Sequence, residues 1–358
     1  MTDSMQAQDL VDRAESGQGG AGRWRTGVRR AILVTSRPEP WRRGLVLAAL
    51  APLLGLFMLL HAKIPNWPGN LGSLVETFLP WFGLGIPVLL AGALWRRSAS
   101  AVAALLLPVV VWVYLFGEVL SDKSRPGADL TMASHNVGAA NTDPVGTARD
   151  LATSGTDVLA LEELTQEARA TYENELAKAY PYHSVLGTVG LWSKLPLSDA
   201  QPIDITNYGP LAGTIRAKTR MGPNRALRSV VATDHGPLAV YVAHLGSVRV
   251  NPRAGFWTGS RNIGVQALGK AIAAEKNKQV VLLGDLNGTM DDRAFNDITS
   301  KMHPAQKAAG NGFGFTWPAS FPVVRADEIL VRGVELKSSW VLPATGSDHL
   351  PVAAGISW

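Results

Sequence analysis

The sequence predicts an α/β domain that is preceded by three transmembrane helices. Residues 44–120 contain only 5 Asp, Glu, Lys or Arg residues and consist mainly of long apolar blocks. From residue 130 onward, short apolar runs alternate with helical and loop stretches, a pattern typical of an α/β domain. The 358-residue chain contains no cysteine, which excludes a disulfide framework, a cysteine-bearing zinc site, an iron–sulfur cluster and a thiol nucleophile.

Three apolar blocks have the length of membrane spans. A hydrocarbon core about 30 Å thick requires about 20 helical residues. The blocks that lack Asp, Glu, Lys and Arg are Gly44–Ala62, Thr77–Trp95 and Ser98–Gly117. Tryptophans at the ends of the blocks are typical of membrane–water interfaces, and they are Trp41, Trp67, Trp81 and Trp95. We therefore expect a multi-pass protein of the cell membrane.

The distribution of charge predicts the orientation of these spans. Residues 1–43 carry a net charge of +3, and residues 44–120 and 121–358 carry +1 each. Most of the basic residues that flank the spans precede the first one, and Arg96 and Arg97 separate the second from the third. The positive-inside rule then places the N-terminus in the cytoplasm and the C-terminal region outside.

These observations divide the chain into four parts. Residues 1–43 are expected to form a cytoplasmic, partly disordered basic tail, and residues 44–120 a three-helix transmembrane region. A linker at 121–129 would lead into an extracytoplasmic domain at 130–358.

Polar residues follow four of the apolar runs in the C-terminal region at the point where each run ends. The runs are Leu130–Ser134, Val158–Leu161, Ala239–Ala243 and Val280–Leu283. Two further runs, Glu328–Val331 and Leu350–Ile356, have the polar residues in front of them. Binding sites gather at the carboxyl ends of strands, and antiparallel strands begin at that same edge. We therefore expect one edge of a mixed sheet system to carry Asn136, Glu163, His244, Asp285, Asn287, Asp327, Asp348 and His349.

The motifs around these residues resemble the endonuclease/exonuclease/phosphatase superfamily, which includes DNase I-like nucleases and phosphatases. The motifs occur in the order ASHNV, DVLALEEL, VAHL, GDLNG, ADEILV and GSDHLP. The resemblance covers nearly all of residues 130–358 and implies a four-layer sandwich of two packed mixed β-sheets flanked by helices. Two positions depart from the family pattern, because Glu162 stands where Gln is usual and His135 where an aromatic residue is frequent.

The resemblance implies metal-dependent hydrolysis of a phosphate ester or anhydride. Mg²⁺ prefers oxygen ligands, usually one or two carboxylates with water and substrate phosphate. We expect Glu163 and Asn136 to bind Mg²⁺, with Mn²⁺ as the alternative ion, and Asp348 to complete the site directly or through water.

The resemblance also implies catalytic roles for five residues. His349 is the leading catalytic residue, and Asp327 would orient its ring. Asp285 would position or activate the attacking water, and Asn287 would hold the water or the phosphate. His244 would donate to a phosphoryl oxygen. Either Asp285 or His349 could be the formal base.

Several arginines and lysines could assist phosphate binding, although ordinary solvated charge is the simpler interpretation. They are Arg216, Lys218, Arg220, Arg225 and Arg228, and then Arg249, Arg253 and Arg261 in the stretch after His244. The Gly/aromatic segment at 310–315 lacks the strand-then-helix setting of a phosphate-binding loop, and we expect a turn there.

The expected function is that of a membrane-anchored phosphohydrolase at the outer face of the cytoplasmic membrane, acting on a lipid-linked phosphate or pyrophosphate such as undecaprenyl diphosphate. Three spans exceed what tethering requires, which favours a lipid substrate. The chain also resembles actinobacterial membrane proteins associated with teicoplanin resistance, which implies a link to glycopeptide resistance. The alternatives are a membrane-tethered nuclease and a non-catalytic sensor, and a catalytic region of only +1 disfavours nucleic acid as a partner. The oligomeric state stays open.

Overall fold

The computed structural model describes residues 40–206, 224–253 and 255–358. Most of the expected N-terminal tail lies outside these residues, as do Arg216, Lys218 and Arg220. Contacts divide the chain into two compact units. The first consists of Met1–Leu56 and Gly83–Val110, and the second of Phe57–Phe82 and Val111–Trp358. The expected boundaries at 44–120, 121–129 and 130–358 therefore stay predictions.

Five helices form the apolar part of the chain. They are α1 (Leu45–Leu59), α2 (Leu71–Thr77), α3 (Gly85–Trp95), α4 (Ala99–Ala104) and α5 (Leu106–Phe116). In the first unit α1 passes close to the start of α5, because a side chain at Gly55 would come within 3.0 Å of the backbone nitrogen of Pro108. The hydroxyl of Ser98 caps α4 by accepting a hydrogen bond from the Ala101 amide at 3.2 Å.

The structure does not support the expectation of three spans at 44–62, 77–95 and 98–117. Among the described residues, one helix is long and apolar enough to cross a membrane, the 22-residue stretch Ala99–Leu120 with a mean hydropathy of 2.3. The segments Leu71–Thr77 and Leu79–Trp95 reach the length of a span only if they are joined into one helix. The chain bends by 69° at the break between them. Helix α1 has 15 residues and covers about 22 Å at about 1.5 Å per residue, which is less than the hydrocarbon core.

Two six-stranded sheets dominate the second unit. The first has the strand order β13-β14-β1-β2-β4-β3 and consists of β1 (Leu130–Asn136), β2 (Val158–Glu162), β3 (Tyr182–Leu186), β4 (Val189–Ser193), β13 (Glu335–Val341) and β14 (Val352–Ser357). The second has the order β11-β12-β10-β7-β6-β5 and consists of β5 (Leu197–Pro202), β6 (Ala226–Thr233), β7 (Gly236–Ala243), β10 (Val280–Asp285), β11 (His303–Pro304) and β12 (Asp327–Arg332). A small hairpin contains β8 (Arg249–Asn251) and β9 (Gly255–Trp257).

Both sheets are mixed, as the sequence predicts. The pairs β1–β2 and β7–β10 are parallel, so that their carboxyl ends meet within each sheet. Strand β12 runs antiparallel to β10 and sets Asp327 opposite Asp285, whereas β14 runs antiparallel to β1. Strands that run outward and strands that return thus place their polar residues at one edge.

Apolar side chains of the two sheets form a shared core between them. Met132 and Val158 of the first sheet cluster with Val240, Leu283 and Ile329 of the second, and all five are fully buried. The outer faces are covered by helices, which are α6 (Pro144–Thr153), α7 (Gln166–Leu176), α8 (Gly259–Ala274) and α9 (Asn296–Thr299). Helix α10 (Ala305–Ala309) instead contributes alanines to the core between the sheets. This arrangement confirms the expected sandwich of two packed, helix-flanked sheets.

The Gly/aromatic segment at 310–315 packs against apolar residues of the same unit. The ring of Phe313 lies 5.7 Å from Phe116, and the ring of Phe315 stacks on Trp81 at 5.6 Å. The segment therefore packs its half-buried aromatic rings against the apolar residues, in addition to making the expected change of direction.

Candidate active site

The carboxyl ends of the strands bring the eight predicted site residues together. β1 ends at Asn136 and β10 at Asp285, while His244 follows β7 directly. Close packing at this edge requires glycine before Asp285, because a side chain at Gly284, where φ is +148°, would come within 1.9 Å of the Ala243 carbonyl oxygen. A cavity of about 480 Å³ opens here, and its polar lining includes Glu163, Asp285, Asn287, Asp348 and His349.

Asp327 and His349 form a buried hydrogen-bonded pair. Nδ1 of His349 lies 2.8 Å from Oδ2 of Asp327, and the Asp327 side chain is completely buried. Burial by itself would lower the pKa of His349, but the carboxylates of Asp327 and Asp285 outweigh it and raise this pKa to about 10. At neutral pH the imidazole is therefore a cation that donates Nδ1–H to Asp327.

Asp285 lies at the centre of the polar cluster. Its Oδ2 accepts hydrogen bonds from the side-chain amides of Asn136 at 2.9 Å and Asn287 at 3.1 Å. Nε2 of His349 lies 3.9 Å from Oδ2, which is too far for a direct hydrogen bond. Burial raises the pKa of Asp285 to about 7, although the His349 cation opposes this shift. Asp285 can therefore accept a proton near neutral pH.

Two of the site residues have a left-handed backbone conformation, which residues other than glycine rarely adopt. These are Glu163, with φ +59°, and Asn287, with φ +49°. At Glu163 this conformation ends the β2 alternation, so that Glu162 is fully buried while Glu163 lines the cavity. Such strain persists where the surroundings impose it, and it is frequent at functional sites.

His244 has a different environment from the one that the sequence suggests. Its Nε2 lies 2.7 Å from Nη2 of Arg225, and 3.5 Å from both Glu163 Oε1 and Asp285 Oδ2. Burial, followed by the charge of Arg225, holds the pKa of His244 well below its usual value. The ring is therefore neutral, and in this geometry its Nε2 accepts from Arg225. Its predicted role as a donor to phosphate stays a prediction.

The three predicted metal ligands meet around the loop after β1. The Gly138 amide donates to Oδ1 of Asn136 at 3.0 Å, and the Ala139 amide donates to Oε2 of Glu163 at 2.8 Å. A side chain at Gly138 would lie 3.6 Å from Oδ1 of Asp348. Two carboxylates and one amide oxygen thus surround the same short loop, beside Asp285.

The chemistry of these donors fits a divalent cation. Among the described residues, Asp285, Asp327 and His349 have ligand atoms within 4.8 Å of one another and satisfy the geometry of a metal site. The His349 ring, however, is protonated and hydrogen-bonded to Asp327. The oxygen atoms of Glu163, Asn136 and Asp348 therefore suit a hard cation such as Mg²⁺ better.

Glu162, the residue that replaces the usual Gln, is a fully buried acid whose surroundings favour its neutral form. Its Oε1 accepts from the hydroxyl of Ser134 at 2.9 Å. Burial and then the nearby charge of Asp327 raise its pKa well above the usual value. The protonated form of Glu has nearly the shape and polarity of Gln, so the raised pKa makes Glu162 more similar to the residue that it replaces.

The sequence does not predict that Ser347 belongs to the site, and it predicts no contact between Arg225 and His244. The Ser347 hydroxyl donates to the Asn136 carbonyl at 2.6 Å and accepts from the His349 amide at 3.1 Å, which joins the end of β1 to the segment that carries His349. A single serine in a loop carries no pattern that would reveal this bridge.

The other arginines considered for phosphate binding have different surroundings. Arg261 pairs with Asp292 at 2.6 Å, and both side chains are completely buried, so that Arg261 is neither the solvated charge that the sequence favours nor a residue exposed to a phosphate. Arg228 pairs with Glu275 and Asp199. Arg249 and Arg253 are exposed on or beside the β8–β9 hairpin.

Several solved structures have a similar fold. The endonuclease/exonuclease/phosphatase from Bacteroides vulgatus has 17% sequence identity and a TM-score of 0.50, with 64% of this chain and 99% of that chain covered. A mannosyl-6-phosphatase from Bacteroides thetaiotaomicron has 15% identity and a TM-score of 0.48, covering 64% and 100%. TDP2 from D. rerio, solved with a single-strand DNA product, has 18% identity and a TM-score of 0.49, covering 64% and 99%. At these identities the likeness shows the fold alone, and no curated protein sequence matches this chain significantly.

The sequence itself matches one protein family. The match, to the endonuclease/exonuclease/phosphatase family, covers residues 133–349, which is more than half of the chain. The matched region runs from the first strand of the sandwich to His349 and includes all eight predicted site residues. By this match the chain belongs to the endonuclease/exonuclease/phosphatase family.

Proposed function

We propose that this protein is a membrane-anchored, divalent-metal-dependent phosphohydrolase that cleaves a lipid-linked phosphate or pyrophosphate at the outer face of the cytoplasmic membrane. The observation that carries the proposal is the convergence of Asp285, His349 and Glu163 in one cavity, with Asp327 behind His349. Hydrolysis of phosphoester bonds is the activity of the family to which the chain belongs.

The geometry supports a division of labour between Asp285 and His349. Asp285 has a pKa of about 7 and accepts a proton from the attacking water at its carboxylate. His349 is held protonated by Asp327, and its Nε2–H donates to a phosphoryl oxygen as negative charge develops there. Asn136 and Asn287 fix the Asp285 carboxylate by their hydrogen bonds. A divalent cation held by Glu163, Asn136 and Asp348 would neutralise further phosphoryl charge when bound.

Two observations favour a lipid-linked substrate over nucleic acid. The helix Ala99–Leu120 is long and apolar enough to cross a membrane. Residues 121–358 carry a net charge of only +1, whereas non-specific nucleic-acid binding relies on a basic surface. Undecaprenyl diphosphate, the lipid carrier of wall precursors, is the substrate that we propose for testing. The resemblance to proteins associated with teicoplanin resistance leads us to propose a link to glycopeptide resistance.

An assay of one substrate panel tests the proposal. Purified full-length protein with Mg²⁺ is expected to release phosphate from a polyprenyl diphosphate, and to act poorly on plasmid DNA and on soluble inositol phosphates. The matched control is His349→Ala, which should release none. Cleavage of plasmid DNA without phosphate release from the lipid would replace the proposal by a membrane-tethered nuclease.

The proposed location has a separate test. A reporter enzyme fused after Trp358 should be active only outside the cytoplasmic membrane, because the catalytic domain is proposed to be extracytoplasmic. A cytoplasmic signal from the reporter would overturn both the orientation and the choice of the outer leaflet.

A further inference from the structure

The cavity that contains the catalytic residues also has an apolar wall, which we define as Leu74, Phe78, Val248, Val250 and Phe256. We propose that this apolar wall is the binding site for the hydrocarbon chain next to the substrate phosphate, and that Leu74 and Phe78 determine specificity for that chain. The inference rests on the proposed function, because it assumes a phosphate linked to a lipid.

Helix α2 and the two residues that follow it, Phe78 and Leu79, supply two apolar faces with different partners. Val75 and Leu79 are buried in a cluster with Phe116. Leu74 and Phe78, four positions apart, are only partly buried and line the cavity instead. Neither side chain can donate or accept a hydrogen bond, so that a polar group placed against them would lose its bonds to water. An apolar ligand carries no such cost.

The helix is firmly attached to the catalytic loop. Oε1 of Glu76, whose side chain is 2% exposed, lies 2.7 Å from Nη2 of Arg293. The Ser73 hydroxyl donates to Asp292 at 3.2 Å, and Asp292 and Arg293 belong to the segment that follows Asp285 and Asn287. These contacts therefore fix the position of Leu74 and Phe78 relative to the Asp285 carboxylate.

The hairpin contributes the outer part of the apolar wall. The Phe256 amide donates to the Gly69 carbonyl at 2.8 Å, so β9 is joined to the segment that leads into α2. Val250, which faces Phe256 across the hairpin, lines the cavity and is 85% exposed. The cavity thus opens to the outside beside an apolar side chain.

The size of the cavity limits what it can hold. Its volume of about 480 Å³ lies within the range of about 300–1,000 Å³ that is usual for small-ligand pockets. This is enough for a phosphate group and the first units of a chain, but the remainder of a long polyprenyl chain would extend past Val250. The apolar wall should therefore distinguish short chains from intermediate ones.

A chain-length series tests this inference on the full-length protein. With wild-type protein, kcat/KM should be higher for farnesyl diphosphate than for dimethylallyl diphosphate. Leu74→Asn and Phe78→Ala should each lower kcat/KM for the longer substrate by about tenfold or more, because apolar contacts are lost. The same variants should lose less on the shorter substrate, which has less hydrocarbon to place against the apolar wall, and an unchanged midpoint of thermal unfolding reports correct folding.

The control is Leu71→Ser, which alters an exposed apolar residue of the same helix outside the cavity lining and should leave both rates unchanged. Phe78→Leu should retain most of the chain-length preference. Equal losses on both substrates, or an unchanged preference in Leu74→Asn and Phe78→Ala, would overturn the inference while the proposed function stands. If the wild-type protein hydrolyses no prenyl diphosphate, both the inference and the proposed function are overturned. If Leu74→Asn and Phe78→Ala lose more activity on a single-strand oligonucleotide than on the prenyl diphosphates, the apolar wall would instead bind nucleobases.

Discussion

Oδ2 of Asp327 lies 2.8 Å from Nδ1 of His349, although Asp327 begins a strand of one sheet and His349 precedes a strand of the other. The hydrogen bond therefore spans the sandwich at the edge where both sheets present polar residues. It fixes which ring nitrogen faces the cavity, because Nδ1 is occupied and Nε2 points toward Asp285 at 3.9 Å. The position and the charge of the imidazole thus depend on the packing of the two sheets.

Replacement of His349 or Asp285 should remove activity without unfolding the protein. We expect His349→Ala and Asp285→Ala each to lower kcat by at least about 10²-fold, because proton transfer to and from positioned groups contributes this much. Phosphate release under metal saturation measures the loss, and thermal unfolding measures the fold. Exposed Lys301→Ala is the matched control. Normal turnover by His349→Ala would refute the assigned site.

The Asp327→Asn variant should change the pH dependence of the reaction. His349 must hold a proton to donate, and its pKa of about 10 places the loss of activity in the wild type near that pH. Asn removes the carboxylate charge that favours the protonated ring, so the pKa falls. We expect the alkaline limb of kcat/KM to move down by about 1–3 pH units. An alkaline limb that does not move would assign it to another group.

Removal of the Glu163 charge should weaken metal binding selectively. Glu163→Gln keeps the size of the side chain but offers a neutral oxygen to the cation, so that activity should require a higher Mg²⁺ concentration. Titration of activity with Mg²⁺ and then with Mn²⁺ measures the shift, with Glu167→Gln on the exposed surface of α7 as the control. The same half-saturating concentration in Glu163→Gln and wild type would remove Glu163 from the ligand set.

The ion pair between Arg261 and Asp292 should be important for stability. Both side chains are fully buried, so that Asp292→Asn leaves the Arg261 cation without its partner charge and should cost about 3–5 kcal/mol of unfolding free energy. Denaturant unfolding followed by tryptophan fluorescence measures the loss. Asp199→Asn removes an exposed partner of Arg228 and should cost at most about 1 kcal/mol. Similar losses in the two variants would show that burial does not control this effect.

The convergence of the candidate site residues at one edge of the sheets could be predicted because its signal is local. An apolar run that stops at Asn136, His244 or Asp285 identifies both a strand and the end at which it carries polar residues. The antiparallel return of β12 and β14 follows from the reversed order around Asp327 and His349. The contact of Arg225 with His244 could not be predicted, because one arginine in a basic stretch has no distinctive spacing.

The expected spans failed at a particular residue. The charge of Glu76 makes the second apolar block begin at Thr77, yet α2 begins at Leu71 and contains Glu76. The charge is tolerated because Arg293, which is 217 positions away in the sequence, pairs with it. A hydropathy pattern is read from neighbouring residues and contains no information on a distant ion-pair partner. It therefore does not indicate that α2 packs on the segment that contains Arg293.

The pairing of β14 with β1 and β13 has a consequence for biosynthesis. Leu130, near the start of the sandwich, pairs with Ile356, and His349 lies just ahead of the strand that makes this contact. A nascent chain that has been synthesised only as far as Asn287 therefore lacks both β14, which pairs with β1 and β13 in the first sheet, and His349. Pairing between such distant segments is slow to form. The chain should consequently remain inactive while β14 is still missing, and gain activity only when that strand has joined the first sheet.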